Sequence, residues 1–545
     1  MDSILQLAAK IAGHELSWAQ GAAAAFACAV TLLWFLDVSF SASKLNYEWI
    51  NSKWLPRLLW PKPAHVYAEE GYRKINKAKG RPFKMMWWSR ENIFLPPEYL
   101  QDLKTADEAS LSFMRNISDA FSLHHSVGNL YDGPLMIQVI RKKLNQQLPS
   151  ITPILADEAD FAIQTEIGSC KDWTPRNAAR VISRIMHRMT SRVLVCPEVC
   201  RDERYLDVSI SFMNSVMITG LTAISLPLGP LRGILTRLLV AAIHKPKLEA
   251  ALAIVQPIVE ARLRELDCGA EAEPQHQDAI QWAIELAREL DDPTSPSTTD
   301  RPDARHIALN TLQNIWAGSA GPAVGVTQML FQVLLMPEYL APLREEAARA
   351  IERYGWTDKA MNHVPLLDSF IRECNRCYPL GSVTAARTVM CEEGFRFHDG
   401  LTFPQGTRVA FATAAMQRDE RFVKDADKFD GFRFVTQSGD GEDNGDGGAG
   451  QGGQEDGSKG NNPKRHLMAA STVTPTNLVF GYGKHACPGR FYAIRKTKII
   501  FCKLALNYDF RWTKVPKGRP KEFPVEGQFA ANLSQEISFK SIHSE

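Results

Sequence analysis

Net charge of either sign is nearly missing from this chain of 545 residues: 63 Lys and Arg stand against 61 Asp and Glu, a balance of +2. That argues against a nucleic-acid binder. Cysteine is also scarce, ten in the whole sequence, too few for a disulfide framework at this length. Reduced thiols in a cytosol-facing protein are the simpler reading. No internal repeat is visible, and long apolar runs are absent but for one. Residues 16–36 are almost wholly apolar, interrupted by Ser17, Gln20 and Thr31, with Trp18 and Trp34 near the ends, about the length that crosses a bilayer. What remains is ordinary globular composition, 45% hydrophobic and 23% charged, with enough apolar material for a large core and a buried cofactor.

The apolar run sets the expected organisation. Asp2, Lys10 and Glu15 precede it, whereas Lys44, Lys53, Arg57 and Lys62 follow, so the positive side is C-terminal and the body should face the cytosol. The division expected is a tail at 1–15, a transmembrane anchor at 16–36, a hinge at 37–65 carrying Pro56, Pro61 and Pro63, and one catalytic domain from 66 to 545. Helical periodicity dominates that domain, in long segments at 177–194, 205–224, 247–266 and 306–335, while β-like runs are confined to 394–412 and 536–542. These patterns predict a mainly α protein with small β-sheets. Residues 438–462 hold six acids, one Lys and ten of the 35 glycines, an acidic insert that cannot bury a core and reads as a solvated loop. Its local −5 leaves +7 on the rest of the chain. Gly448, Gly450 and Gly453 there match G-x-G-x-x-G, but no strand precedes them and no helix follows, so no nicotinamide or flavin module is expected.

The informative segment is Phe480-Gly-Tyr-Gly-Lys-His-Ala-Cys487-Pro-Gly489. A cysteine that ligates haem iron must be a thiolate in a dry loop lined by backbone N–H groups. Gly481 and Gly483 permit the left-handed backbone such a loop needs, Pro488 and Gly489 shape its exit, and Phe480 can exclude water. This segment resembles the haem-binding loop of the cytochrome P-450 family at every restricted position. The resemblance implies the helical fold of that family, with Cys487 as the axial ligand of haem b (iron protoporphyrin IX). It implies a monooxygenase using dioxygen and NADPH-derived electrons, because thiolate donation assists O–O cleavage and permits attack on unactivated C–H bonds.

Weaker motifs gain meaning from that loop. Glu373-Cys-Asn-Arg376 is an E-x-x-R pair, a spacing shared with Glu70/Arg73, Glu198/Arg201, Glu346/Arg349 and Glu393/Arg396. Only Glu373/Arg376 stands at the family's distance before the cysteine and is followed by an aromatic-Arg element containing Arg433; the resemblance implies a buried charged network of Glu373, Arg376 and Arg433. It also implies Arg141, Arg387 and His485 as cations for the haem propionates, without the tryptophan usual on the first of these helices. Lys484, Arg490, Arg495, Lys496 and Lys498 read either as a docking face for an acidic electron donor or as a solvated helix face. Cys374 and Cys377 form a C-x-x-C without a second pair at finger spacing, so zinc is disfavoured.

One departure limits the mechanism. Aligning Ala317-Gly318-Ser319 with the family's central helix puts Ala320 where an acid is usual and Gly321 where an alcohol is usual, followed by Pro322. Gly318, Gly321 and Gly325 around a proline should break the helix locally. Ser319, Thr327, a carbonyl-held water or a substrate hydroxyl are the candidates to replace the proton relay. The resemblance implies a bulky apolar substrate bordered by residues 121–136, 212–224, the helix near Ala317, 381–386 and 528–531. The stretch 200–216 is similar to fungal members that tailor terpenoids, indole diterpenoids and polyketide hybrids. Expected partners are a lipid bilayer, that of the endoplasmic reticulum, crossed once, a separate NADPH-cytochrome reductase with cytochrome b5 as a further donor, and a hydrophobic small molecule, with no nucleic acid. Two other readings stay open: a haem-thiolate isomerase or dehydratase without net oxygen insertion, and a haem-binding membrane protein without catalysis.

Overall fold

The computed structural model describes residues 45–51, 60–225, 232–267, 276–290, 303–435, 469–530 and 532–542, with isolated positions between 25 and 32. The expected anchor at 16–36, apart from those isolated positions, and the acidic insert at 438–462 lie outside the described residues.

Helix dominates, and the long periodic segments form helices close to their expected limits: Ala178–Leu194, Glu203–Ser225, Lys245–Asp267 and Ala304–Leu335. Local chemistry sets their starts. The Asn177 side chain accepts the Arg180 N–H at 2.9 Å, and Asp303 accepts the Arg305 N–H at 3.0 Å, each satisfying a donor the helix itself cannot pair. Ala304–Leu335 is the axis of the body, and against it pack Ala178–Leu194, Lys245–Asp267, Pro365–Cys377 and Arg490–Asn507. Its buried positions occur on several sides, as expected of a helix enclosed by others. The helix runs unbroken through Pro322, which corrects the expectation of a local break.

A five-stranded sheet lies beside this helical mass, in the order Phe83–Trp87, Arg90–Phe94, Arg408–Phe411, Thr384–Val389, Leu111–Ser112. All its pairings are antiparallel except that of Arg90–Phe94 with Arg408–Phe411. The first hairpin turns through Trp88 and Ser89, both at positive φ, as a tight two-residue connection requires. Residues 45–51, within the expected hinge, lie along the edge of this sheet: the Ile50 N–H donates to Lys84 O at 3.1 Å and the Lys84 N–H to Glu48 O at 2.8 Å. A second, three-stranded sheet joins Thr174–Asn177, Glu536–Ser541 and Tyr508–Trp512. It ties the chain's end to the start of the Ala178–Leu194 helix.

Candidate active site

The segment from Phe480 to Gly489 forms a closed loop ahead of the helix Arg490–Asn507. The Cys487 N–H donates to Phe480 O at 2.7 Å, the Gly481 N–H to Leu478 O at 2.9 Å and the Ala486 N–H to Gly483 O at 3.0 Å. Gly483 has φ +69°, and a Cβ there would stand 2.4 Å from the Leu103 carbonyl oxygen. Only glycine permits this approach. The loop is clamped from another side by the segment following residue 138: the Arg141 guanidinium donates to Lys484 O at 2.6 Å, and Asn145 Nδ2 to Pro488 O at 3.0 Å.

Cys487 lies deep in the protein, where burial pushes its thiol up; the N–H groups of Gly489 and Arg490 and the Arg490 guanidinium pull it the other way. The residue is nevertheless accessible. A side chain that is both deep and accessible faces an internal cavity. Ala317 and Ala320 are likewise accessible although their helix runs through the core, so that face of the central helix also borders a cavity. A Cβ on Gly321 would meet Leu380 Cδ2 at 3.2 Å. Trp316 packs edge-on to Phe121, and Phe121 against Trp88, with ring centroids 5.4 and 4.8 Å apart.

Whether these residues suit a haem is tested by their cations. Arg387 is 1% exposed, and burial lowers its pKa to about 10. Its Nη1 donates to Ala386 O at 2.8 Å and Nη2 to Tyr482 O at 3.3 Å, while Nε has no partner among the described residues. A buried guanidinium bonded only to carbonyls, with one N–H unused, is suited to receive an anion such as a propionate. The other two cations are engaged. His485 Nδ1 stands 3.0 Å from Glu108 Oε2, at ion-pair distance, and its Nε2 lies 3.1 Å from Ala106 O. Arg141 is exposed and bonded to the loop backbone. Sequence reasoning missed Glu108 and Asn145; no motif marks either. The accessible thiol, the glycine-dependent loop and the buried guanidinium with its unused Nε–H together fit a haem.

A charged cluster stands on the Pro365–Cys377 helix. Glu373, 0% exposed, accepts Arg376 Nε and Nη2, both at 2.8 Å, the Asp430 N–H at 2.9 Å and Arg433 Nε at 3.2 Å. Arg376 also donates to the carbonyls of Gln417, Ala426 and Lys428, and Arg433 to those of Lys424, Asp425 and Lys428. Three side chains thereby fasten the stretch before the insert to the Pro365–Cys377 helix. Other E-x-x-R spacings lead elsewhere: Arg201 pairs with Glu158 and Arg349 with Glu345. Cys374 and Cys377 are buried, Cys377 Sγ lies 3.1 Å from Arg376 Nη2, and no metal-ligand cluster occurs among the described residues.

The relay candidates separate. Ser319 is buried with Oγ 3.2 Å from His187 Nδ1, and Thr327 donates to Ala323 O on its own helix at 2.8 Å. Ala320 and Gly321 carry no titratable group. The basic face also needs correction: Arg495, Lys496 and Lys498 are buried, because their positions on Arg490–Asn507 turn inward, Arg495 to Asp358 and Lys498 to Asp368. Only Lys484 and Arg490 of that cluster are left partly or fully exposed. A separate cavity of about 570 Å³ is lined by residues including His65, Tyr378, Asp419, Arg519 and Glu522. It carries charges of both signs and involves neither Cys487 nor the central helix.

The cytochrome P450 family model matches residues 135–537. Over 481 residues the chain is 36% identical to cytochrome P450 monooxygenase sirB of Leptosphaeria maculans, covering 87% of this chain and 86% of that one. Over 502 residues it is 26% identical to cytochrome P450 monooxygenase paxP of Penicillium paxilli, covering 89% and 88%. A solved structure of retinoic acid bound cyanobacterial CYP120A1 superposes with a TM-score of 0.60 over 87% of this chain and 94% of that one, at 14% identity.

Proposed function

This chain belongs to the cytochrome P450 family as one of its monooxygenases, and from that premise we propose that it oxidises a bulky, apolar intermediate of fungal secondary metabolism. Terpenoids, indole diterpenoids and polyketide hybrids are the substrate classes. Oxidation takes the form of hydroxylation, epoxidation or several successive steps, with electrons from NADPH through a separate reductase and cytochrome b5 as a further donor. The body faces the cytosol from a single-pass anchor in the endoplasmic reticulum membrane, a location suited to a substrate that partitions into lipid.

The observation that carries this reading is the Cys487 loop, closed by its own backbone and by Leu103, Arg141 and Asn145, with an accessible sulfur deep inside the protein. Cys487 would hold the iron of haem b, and Arg387 would receive a propionate. Bound there, haem supplies the dioxygen-activating chemistry. The protein supplies position and dryness: Trp316, Phe121 and Trp88 form an apolar wall, and Ala317 and Ala320 leave room beside it. With no acid or alcohol at positions 320 and 321, the proton for oxygen activation comes from water in the cavity or from a substrate hydroxyl. That same vacancy of polar groups favours a second reading, isomerisation or dehydration without oxygen insertion.

The deciding experiment is the reduced carbon-monoxide difference spectrum of the purified chain, followed by product analysis with candidate scaffolds, with and without NADPH. A thiolate-type spectrum lost in Cys487→Ala, and products formed only with NADPH, support the proposal. A colourless protein or an unchanged spectrum in the variant would end it, and NADPH-independent turnover would favour the second reading.

A further inference from the structure

Pro322 lies inside the central helix and has no N–H to offer the Gly318 carbonyl one turn back. A helix-core carbonyl left without its amide must find another donor or open toward water. In this chain the donor comes from another helix. Lys496 Nζ, on the helix that follows Cys487, lies 3.0 Å from Gly318 O and 2.6 Å from Thr190 Oγ1. It also stands 4.1 Å from the centroid of the Tyr492 ring.

Nothing else on that helix explains a lysine here. Its neighbours Arg495, Lys498 and Lys503 pair with Asp358, Asp368 and Asp160. Lys496 is 0% exposed and, among the described residues, has no carboxylate within ion-pair distance. Burying an amine without a counter-ion costs stability that leucine or methionine would not. The backbone around it is shaped to admit it: Gly318 lets the central helix approach Thr190, where a Cβ would already stand 3.2 Å from Thr190 Cγ2. Next to it, Ser319 is fastened to the same helix through His187.

We propose that Lys496 replaces the backbone amide hydrogen that Pro322 removes, and so holds the central helix closed where Ala317 and Ala320 border the cavity. It is a positioning residue. Burial also drives its amine well below the ordinary lysine value, and a neutral amine still has the two N–H groups this role needs. With the helix closed, water does not enter through a backbone gap, and protons must arrive from the cavity side. That last consequence rests on the monooxygenase reading; the helix closure does not.

The test is a rescue. Pro322→Ala restores an N–H to the Gly318 carbonyl and should make Lys496 dispensable. Hydrogen exchange is measured on peptides covering residues 316–326 in the full-length, haem-loaded wild type, Lys496→Met, Pro322→Ala and the double variant. Lys496→Met should speed exchange about tenfold, and the double variant should return to within about threefold of Pro322→Ala. Should Lys496→Met fail to fold, the double variant should fold and retain pigment. Equal exchange in wild type and Lys496→Met, or the same defect with and without Pro322, would overturn the assignment. Peroxide released per NADPH reads the functional half separately: it should rise in Lys496→Met and fall back in the double variant. A wild type that forms no NADPH-dependent product would refute the monooxygenase reading while leaving the exchange result standing.

Discussion

Replacing Glu373 by alanine removes the acceptor of four N–H hydrogen bonds at once, two from Arg376, one from Arg433 and one from the Asp430 backbone, and of a long contact from the Cys377 thiol. Arg376 is 1% exposed and would keep its charge with only carbonyls and a thiol around it. Breaking a buried pair in this way costs about 3–5 kcal/mol. Unfolding entropy of about 2.1 cal/mol/K per residue gives about 1 kcal/mol/K for a chain of this length, so the thermal midpoint should fall by about 3–5 °C. The assay is thermal unfolding of the haem-loaded protein followed by tryptophan fluorescence at one scan rate. Glu345→Ala is the internal control, because Glu345 and Arg349 pair at 3.7 Å with side chains 70% and 68% exposed, a contact worth under about 0.5 kcal/mol. A shift in Glu373→Ala no larger than the control's would refute the argument that burial makes this pair different.

Glu346 accepts the N–H groups of Leu366 and Leu367 at 2.8 and 3.0 Å, yet burial pushes its carboxyl up to about 7 from 4.5. The folded state therefore holds a proton that the unfolded state releases: the contribution is complete below pH 4.5 and is lost as pH rises through about 7, about 3 kcal/mol in all. The stability advantage of wild type over Glu346→Gln should shrink by that amount across the window, and a flat difference in urea titrations at several pH values would disprove it. For Gly483→Ala, the clash with Leu103 O should displace the loop and leave less than about a tenth of the wild-type haem per chain. Gly481→Ala, also at positive φ but 3.6 Å from its nearest neighbour, should cost only about 1 kcal/mol and keep its haem. Equal pigment in the two variants would count against the packing argument.

Much of the helical body was legible because its apolar positions recur at helical spacing. The hairpin of Phe83–Trp87 and Arg90–Phe94 was not. Its turn uses Trp88 and Ser89 at positive φ instead of Asn-Gly, and it is fixed from far away: the Trp87 indole donates to Glu526 O at 2.6 Å, and the Trp88 N–H to the Glu526 carboxylate at 2.9 Å. A turn set by tertiary contact leaves no local signal. The loop around Cys487 was readable because the demands on its backbone leave few residue choices, and Glu373 with Arg376 became readable by position relative to it. The buried state of Lys496 and Lys498 was hidden, because a basic helix face looks alike in sequence whether it meets solvent or a set of carbonyls and one carboxylate. Pro322 misled for a related reason. Its missing amide pointed to a break, and the donor that prevents one stands far along the chain.

The clamp on the cysteine loop joins Asn145 to Pro488 and Ala106 to His485, partners separated by 343 and 379 positions. No part of the polypeptide made early in synthesis can assemble that enclosure by itself. The cysteine loop can therefore close fully only after the ribosome has delivered the chain as far as Pro488, so its assembly belongs to the late, long-range stage of folding rather than to the local one.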